Sequence, residues 1–298
     1  CRPATRLTFK RCTDMASTLT YLTKAYTMKL HHIILGMAMA AGCLTACDEV
    51  DADKRFTGPI GVEAQKNVLI EDFTGQKCVN CPNAAAAIEA LQQQYTAERV
   101  IAVSVHGGSL SRDEATDKFG LANATSKAYN EHWGVKQWPS GMVDRIGGLQ
   151  GEDKWAAAVL TRFGIAPKVD LDVANLVYDA ASKTLTLDVS VAAKESVTGR
   201  LQVWLTESGI VQQQYMPDGT KNNQYVHNHV LRASVNDPYG DPLTLTASAT
   251  DTKHYTYTLP DVSALRNNTP WNTQNMSVVV FFYNDQQGVM QVIDHKLQ

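Results

Sequence analysis

Two cysteines stand three residues apart, as Cys78-Val79-Asn80-Cys81, between the apolar run Val68 to Ile70 and the alanine-rich run Ala84 to Leu91. A strand leading into the pair and a helix leading out of it constrain the chemistry. At the mouth of a helix, unpaired backbone N–H groups and the positive end of the dipole stabilise a Cys78 thiolate. Cys81, one turn later, is then placed to close a disulfide onto it. In an oxidising compartment this pattern reads as a thiol–disulfide site. Half of a zinc site and a static structural disulfide are the alternatives. Zinc needs a second ligand pair, which no later cysteine supplies.

The remaining cysteines are accounted for by the leader. Residues 1–27 show no hydrophobic period and read as a non-native upstream extension. Met28-Lys29-Leu30-His31-His32 is a short basic segment, and Ile33 to Ala41 is an apolar run too short to span a bilayer. Residues 28–46 therefore read as a signal peptide. Its end, Leu44-Thr45-Ala46-Cys47, resembles the lipobox of bacterial lipoproteins, which implies a lipid on Cys47 and a membrane as its partner. Cys1, Cys12 and Cys43 leave with the leader, so Cys78 and Cys81 are the only thiols expected to remain. Residues 47–64 open with the acidic stretch Asp48 to Asp53 and read as a solvated tether. Acidic residues at this place also resemble surface-export signals, so the periplasmic and surface faces of the membrane both stay open. A net charge of −3 and the lack of a basic patch argue against nucleic acid, and no later apolar run is long enough for a transmembrane helix.

Residues 65–166 alternate strand and helix. Val68 to Phe73 and Val100 to Val105 read as buried parallel strands around a helix from Cys78 to Tyr95, with Pro82 in its first turn. A helical run at 126–133, a short strand at 141–145 and an amphipathic helix at 152–163 follow. Asp72-Phe73, four residues and then the cysteine pair resembles the strand–loop–helix signature of the thioredoxin superfamily, and Trp138-Pro139 before a strand resembles its cis-proline loop. The resemblance implies Cys78 as attacking thiolate, Cys81 as resolving thiol, Asp72 as the buried carboxylate that handles the proton of Cys81, and Pro139 as the substrate-loop proline. Burial on an apolar strand raises a carboxyl pKa, which suits that role for Asp72. Lys77 stands where the family usually has tryptophan, and its charge favours the thiolate. His106, at the carboxyl end of a parallel strand, is either an accessory proton carrier or a plain strand-end histidine.

After Pro167 the period changes to two. Val169, Leu171 and Val173, then Leu185, Leu187, Val189 and Val191, alternate with polar residues, and further strands include 210–215, 224–232 and a hairpin over 277–295. Residues 168–298 thus read as an antiparallel immunoglobulin-like sandwich. The fold class expected is an α/β thioredoxin-like domain followed by an all-β sandwich. On one strand His227 and His229 would share a face, making them weak metal candidates against a reading as sheet-lining residues. The lipobox, Phe73-Thr74-Gly75, Cys81-Pro82, the Tyr225 to Arg232 phrase and the sandwich tail together resemble the twenty-eight-kilodalton outer-membrane lipoproteins of Bacteroidetes-type bacteria. That resemblance implies an outer-membrane location. Two functions follow: a thiol–disulfide protein acting on envelope thiols or disulfides without a cofactor, or a surface binding and adhesion lipoprotein whose disulfide is structural.

Overall fold

The computed structural model describes residues 65–261, 263, 265–267 and 270–297. The extension, signal peptide, Cys47 and tether expected before Gln65 lie outside the described residues. The described residues belong to one compact unit. Strand β1 (Val68–Thr74) is buried along its whole length and pairs in parallel with β2 (Val100–His106). Between them runs helix α1 (Cys81–Tyr95), which starts three residues later than the sequence predicts, leaving Cys78 in the turn before it. Its Ala84, Ile88 and Leu91, spaced to share one helical face, pack on Val68, Ile70, Val100 and Ala102.

Helix α2 (Ala124–His132) opens with a reciprocal cap: Asn123 accepts from the Ser126 backbone, and the Ser126 hydroxyl accepts from the Asn123 backbone. Strand β3 (Ser140–Val143) lies antiparallel on the other side of β1 and turns into β4 (Ile146–Gln150). Strand β4 carries no alternating pattern, and both of its glycines have positive φ, so periodicity does not reveal it. Helix α3 (Trp155–Phe163) buries Trp155 and Val159 beside α1's core.

The rest of the chain is β-rich. Strands β5 (Val169–Asp179), β6 (Thr184–Ala193) and β12 (Thr250–Thr258) make a three-stranded sheet in the order β12-β6-β5. It faces β7 (Val197–Glu207), β13 (Met276–Asn284) and β14 (Gly288–Lys296) across a core that includes Leu185, Leu187 and Val189 from one sheet and Leu201, Val203, Leu205, Val278 and Val280 from the other. This is the sandwich. Strand β11 (Asp241–Leu245) edges β7, and β8 (Ile210–Tyr215) with β9 (Lys221–His227) forms a separate hairpin.

The boundary expected at Pro167 does not divide the sheet. Strand β10 (Val230–Ser234) pairs antiparallel with β7 and parallel with β2, so nine strands join in one sheet whose main path is β14-β13-β7-β10-β2-β1-β3-β4. The seam is narrow at the backbone: Val230 stands opposite Ser104, and the Ser104 N–H donates to the His229 carbonyl at 2.7 Å. Side chains close it. Leu69, Phe73, Ile101 and Val103 share a second core with Trp204, Val279 and Phe281 from the late strands. Asn123 Nδ2 donates to the Leu231 carbonyl at 2.7 Å, and Arg162 Nη2 donates to the carbonyls of Gln287 and Val289.

At the middle of this second core sits an ion pair. Arg145 grips Glu71 with two hydrogen bonds of 2.8 and 2.9 Å. Its guanidinium carbon lies 4.8 Å from the ring centre of Phe281 and 4.2 Å from that of Tyr283, with Trp133 and Trp204 also around it. A charge this buried is tolerated because it is paired in both charge and geometry, and because aromatic faces attract cations. Glu71→Gln leaves the guanidinium uncompensated and is expected to cost about 3–5 kcal/mol. Urea unfolding followed by tryptophan fluorescence and by far-ultraviolet dichroism should show that loss in one transition. Two separate transitions, or an unchanged midpoint, would contradict the shared core.

Candidate functional site

Cys78 and Cys81 are joined by a disulfide, with their Cα atoms 5.4 Å apart. The turn that carries them is built by backbone bonds: Cys78 N–H donates to the Gly75 carbonyl at 3.0 Å, and Lys77 N–H to the Leu110 carbonyl at 2.8 Å. Gly75 has to be glycine here, since a Cβ would lie 2.6 Å from the Leu110 backbone. Lys77, Val79 and Asn80 are exposed, whereas the cysteines themselves are only 2% and 3% accessible.

Asp72 lies on the same alternating face of β1 as Val68 and Ile70, the face that meets α1. It is 2% exposed, and its Oδ1 makes no hydrogen bond among the described residues. Burial, reinforced by the negative charge of Glu152, pushes its pKa up to about 8. The flanking strands place two further residues beside the end of β1. On one side Thr74 stands opposite His106 in the parallel register. On the other, β3 pairs Phe73 with Ser140, and the residue before it, Pro139, follows a cis peptide bond from Trp138.

The β8–β9 hairpin forms the far wall. Gln214 donates from Nε2 to the carbonyls of Cys78 at 2.9 Å and Gly75 at 3.3 Å, and Tyr215 N–H donates to the Gln76 carbonyl at 2.8 Å. Gln76, fully buried, is held from the other side by Phe119 and Arg112. The cysteine turn is thus clamped between the 107–123 segment and β8. Gln212, Gln213 and Gln214 are all buried, which breaks the expected alternation of a strand. Three consecutive amides in a strand were the signal available in the sequence for this contact, and periodicity alone passes over it.

His227 and His229 do not share a strand face. The strand expected over 224–232 breaks at Asn228 and His229: His229 takes φ 57°, and its N–H turns to the Ser208 hydroxyl. His227 instead packs against His106, with ring centres 5.4 Å apart, and against Tyr225 at 4.8 Å. Burial and the neighbouring His227 hold the His106 pKa well below its usual value, and burial lowers that of His227 to about 4. Both rings are therefore neutral at pH 7. Neither nitrogen of His106, nor Nε2 of His227, has a hydrogen bond of good geometry among the described residues. No group of three or more His, Cys, Asp or Glu gathers as a metal site among them.

Between α1 and the hairpin lies a cleft of about 980 Å³. Cys81, Asp72, His106, Tyr225 and His227 line it; Cys78 does not. One end of the cleft touches the disulfide from its inner, helix-side sulfur. Its polar walls come from residues 72 to 106, from residues 206 to 229 and from residues 274 to 296, so neither half of the chain builds it alone.

The fold resembles HBP35 of Porphyromonas gingivalis, with a TM-score of 0.60 at 18% identity, over 78% of this chain and 76% of that one. That span exceeds residues 126–298 and so takes in part of the chain before them. Weaker overlaps, with Spo0M of Bacillus subtilis (TM-score 0.27, 18% identity, 45% of this chain and 49% of that one) and β-glucuronidase 2 of Bacteroides uniformis (0.22, 15%, 44% and 13%), carry no argument about fold. Curated proteins give no match. No helix among the described residues is long and apolar enough to cross a membrane. The model of the family described as Outer membrane protein Omp28 matches residues 126–298, beginning after the cysteine pair. With more than half of its length matched, this chain belongs to the Omp28 outer membrane protein family.

Proposed function

We propose that the chain is a lipid-anchored envelope protein whose Cys78–Cys81 pair exchanges thiols and disulfides on a thioredoxin-like scaffold. The observation that carries this reading is Asp72. A disulfide that served only as a staple would need no buried carboxyl group, with Oδ1 left without a hydrogen-bond partner, at the same cleft. The strand order β2-β1-β3-β4, the helix after β1 and the cis-proline just before β3 support the scaffold. In the reaction, the Cys78 thiolate attacks a partner disulfide and forms a mixed disulfide. Cys81 resolves it, and Asp72, titrating near neutrality, accepts the Cys81 proton. Lys77, exposed beside Cys78, favours the thiolate.

A second reading is favoured by one observation, the burial of both cysteines in a turn whose Cys78 carbonyl is held by Gln214. In it the disulfide is structural and the protein is a surface binding or adhesion lipoprotein. The reduction potential of the pair separates the two: a bond that yields in the glutathione range supports exchange, and one that resists supports the staple. Cys78→Ser is expected to abolish reduction of a model protein disulfide. Undiminished turnover in that variant would overturn the exchange reading.

Asp72 gives a separate test with a fixed sign. Its folded pKa is raised, so the folded chain keeps a proton that the unfolded chain releases above about pH 4. This group's contribution therefore erodes stability as pH rises from about 4 to about 8, and is level beyond. Asp72→Asn is expected to match wild type near pH 4 and to exceed it by a few kcal/mol at pH 8, read from urea midpoints of the oxidised proteins. The same variant should slow disulfide exchange at pH 7 by roughly 10²-fold. For the anchor, Cys47→Ser is expected to end metabolic labelling with a radioactive fatty acid and release the protein from membranes. Labelling that persists would remove the lipid from Cys47.

A further inference from the structure

The disulfide has two unlike sides. On the outer side, Lys77, Val79 and Asn80 are exposed around Cys78, whose own N–H is held by the Gly75 carbonyl. On the inner side, Cys81 opens onto the cleft between α1 and β9. At about 980 Å³ that cleft is of the size that takes a small molecule.

Its walls describe what would fit. At neutral pH the two buried imidazoles are uncharged, and each offers one N–H and one bare nitrogen. Three ring nitrogens and Asp72 Oδ1 have unused hydrogen-bonding capacity, and each of these side chains is more than nine-tenths buried. Buried polar atoms without partners are costly, so a small polar ligand that satisfies them gains the hydrogen bonds the protein leaves open. Ala85, one helical turn beyond Cys81, also lines the cleft and puts only a methyl group beside the cysteine.

We propose that the cleft is a binding site for a polar low-molecular-weight thiol or its disulfide, which exchanges with Cys81 rather than Cys78. The proposal rests on the exchange reading and adds a second entrance to it: proteins meet Cys78 from outside, and small thiols meet Cys81 from within. The chemistry balances with the small thiol as reductant. A thiolate RS⁻ attacks the Cys81 sulfur, the Cys78–Cys81 bond breaks, and Cys78 leaves as a thiolate. A second RS⁻ attacks the R sulfur of the mixed disulfide, releasing RSSR and the Cys81 thiolate. Two electrons pass from two small thiols to the pair, and their two protons end on the cysteines. The reverse sequence oxidises the pair with RSSR.

The test uses single-cysteine proteins, so that its outcome does not depend on the potential of the native pair. Reduced Cys78→Ser, which keeps Cys81, and reduced Cys81→Ser, which keeps Cys78, are reacted with 2-hydroxyethyl disulfide. Mixed-disulfide formation is followed by mass spectrometry. Each rate is divided by the thiolate fraction from that protein's own pH titration, so that pKa differences do not masquerade as access. Cys81 is expected to react at least about tenfold faster than Cys78 on this scale. Ala85→Phe, which narrows the approach, is expected to slow Cys81 about tenfold and leave the Cys78 rate unchanged. Equal rates, a faster Cys78, or a Cys81 rate indifferent to Ala85→Phe would overturn the proposal. A native disulfide that resists reduction would instead defeat the exchange reading while leaving the access measurement intact.

Discussion

The structure depends on a charge almost wholly shielded from water. Arg145 is contributed by the turn after β3, yet the aromatic rings around it come largely from strands β7 and β13, more than fifty residues later. Glu71, its partner, is a β1 residue next to Asp72. An isolated guanidinium could not be buried there, so the pair and the rings have to assemble together. This joins the cysteine-bearing part of the chain to the sandwich, and it holds the strand from which Asp72 projects to the opposite face.

A second buried cluster works in the same way nearby. Asp144 accepts from Lys66 at 2.5 Å and from Arg162 at 2.7 Å, while its other oxygen takes the Leu69 N–H. Burial lowers the Lys66 pKa against the pull of Asp144. Both Asp144 and Arg145 have positive φ, an unfavourable backbone for residues with side chains, and the ion pairs they make offset that cost. The tight turn thus aims one residue at each of two charge clusters, one on either side of β1.

Much of the site was legible because it is local. The strand before the cysteines, the helix after them and the buried carboxyl are set by residues within about a dozen positions of one another, and period and spacing report such features directly. What escaped was long-range. Periodicity says which face of a strand is buried but not against which strand, so the parallel seam of β10 with β2 is not readable from those two strands. A trace did exist in β7: Leu201 to Glu207 is buried without interruption, with Leu201, Val203 and Leu205 in the sandwich core and Trp204 in the other. A strand covered on both faces cannot belong to a simple two-layer sandwich. The histidines were misplaced for a different reason. Alternation holds only while a strand continues, and the positive φ at His229 ends it between the two rings.

The hairpin that covers the cysteine turn has a consequence for the order of events during synthesis. Residues 210–227 leave the ribosome long after Cys78 and Cys81, yet Gln214 and Tyr215 complete the turn's hydrogen bonding. For that interval the side that β8 later covers is open to oxidants and to other thiols. This later hairpin then decides how it can be reached, so the nascent chain and the finished protein present the same two sulfurs to different chemistry.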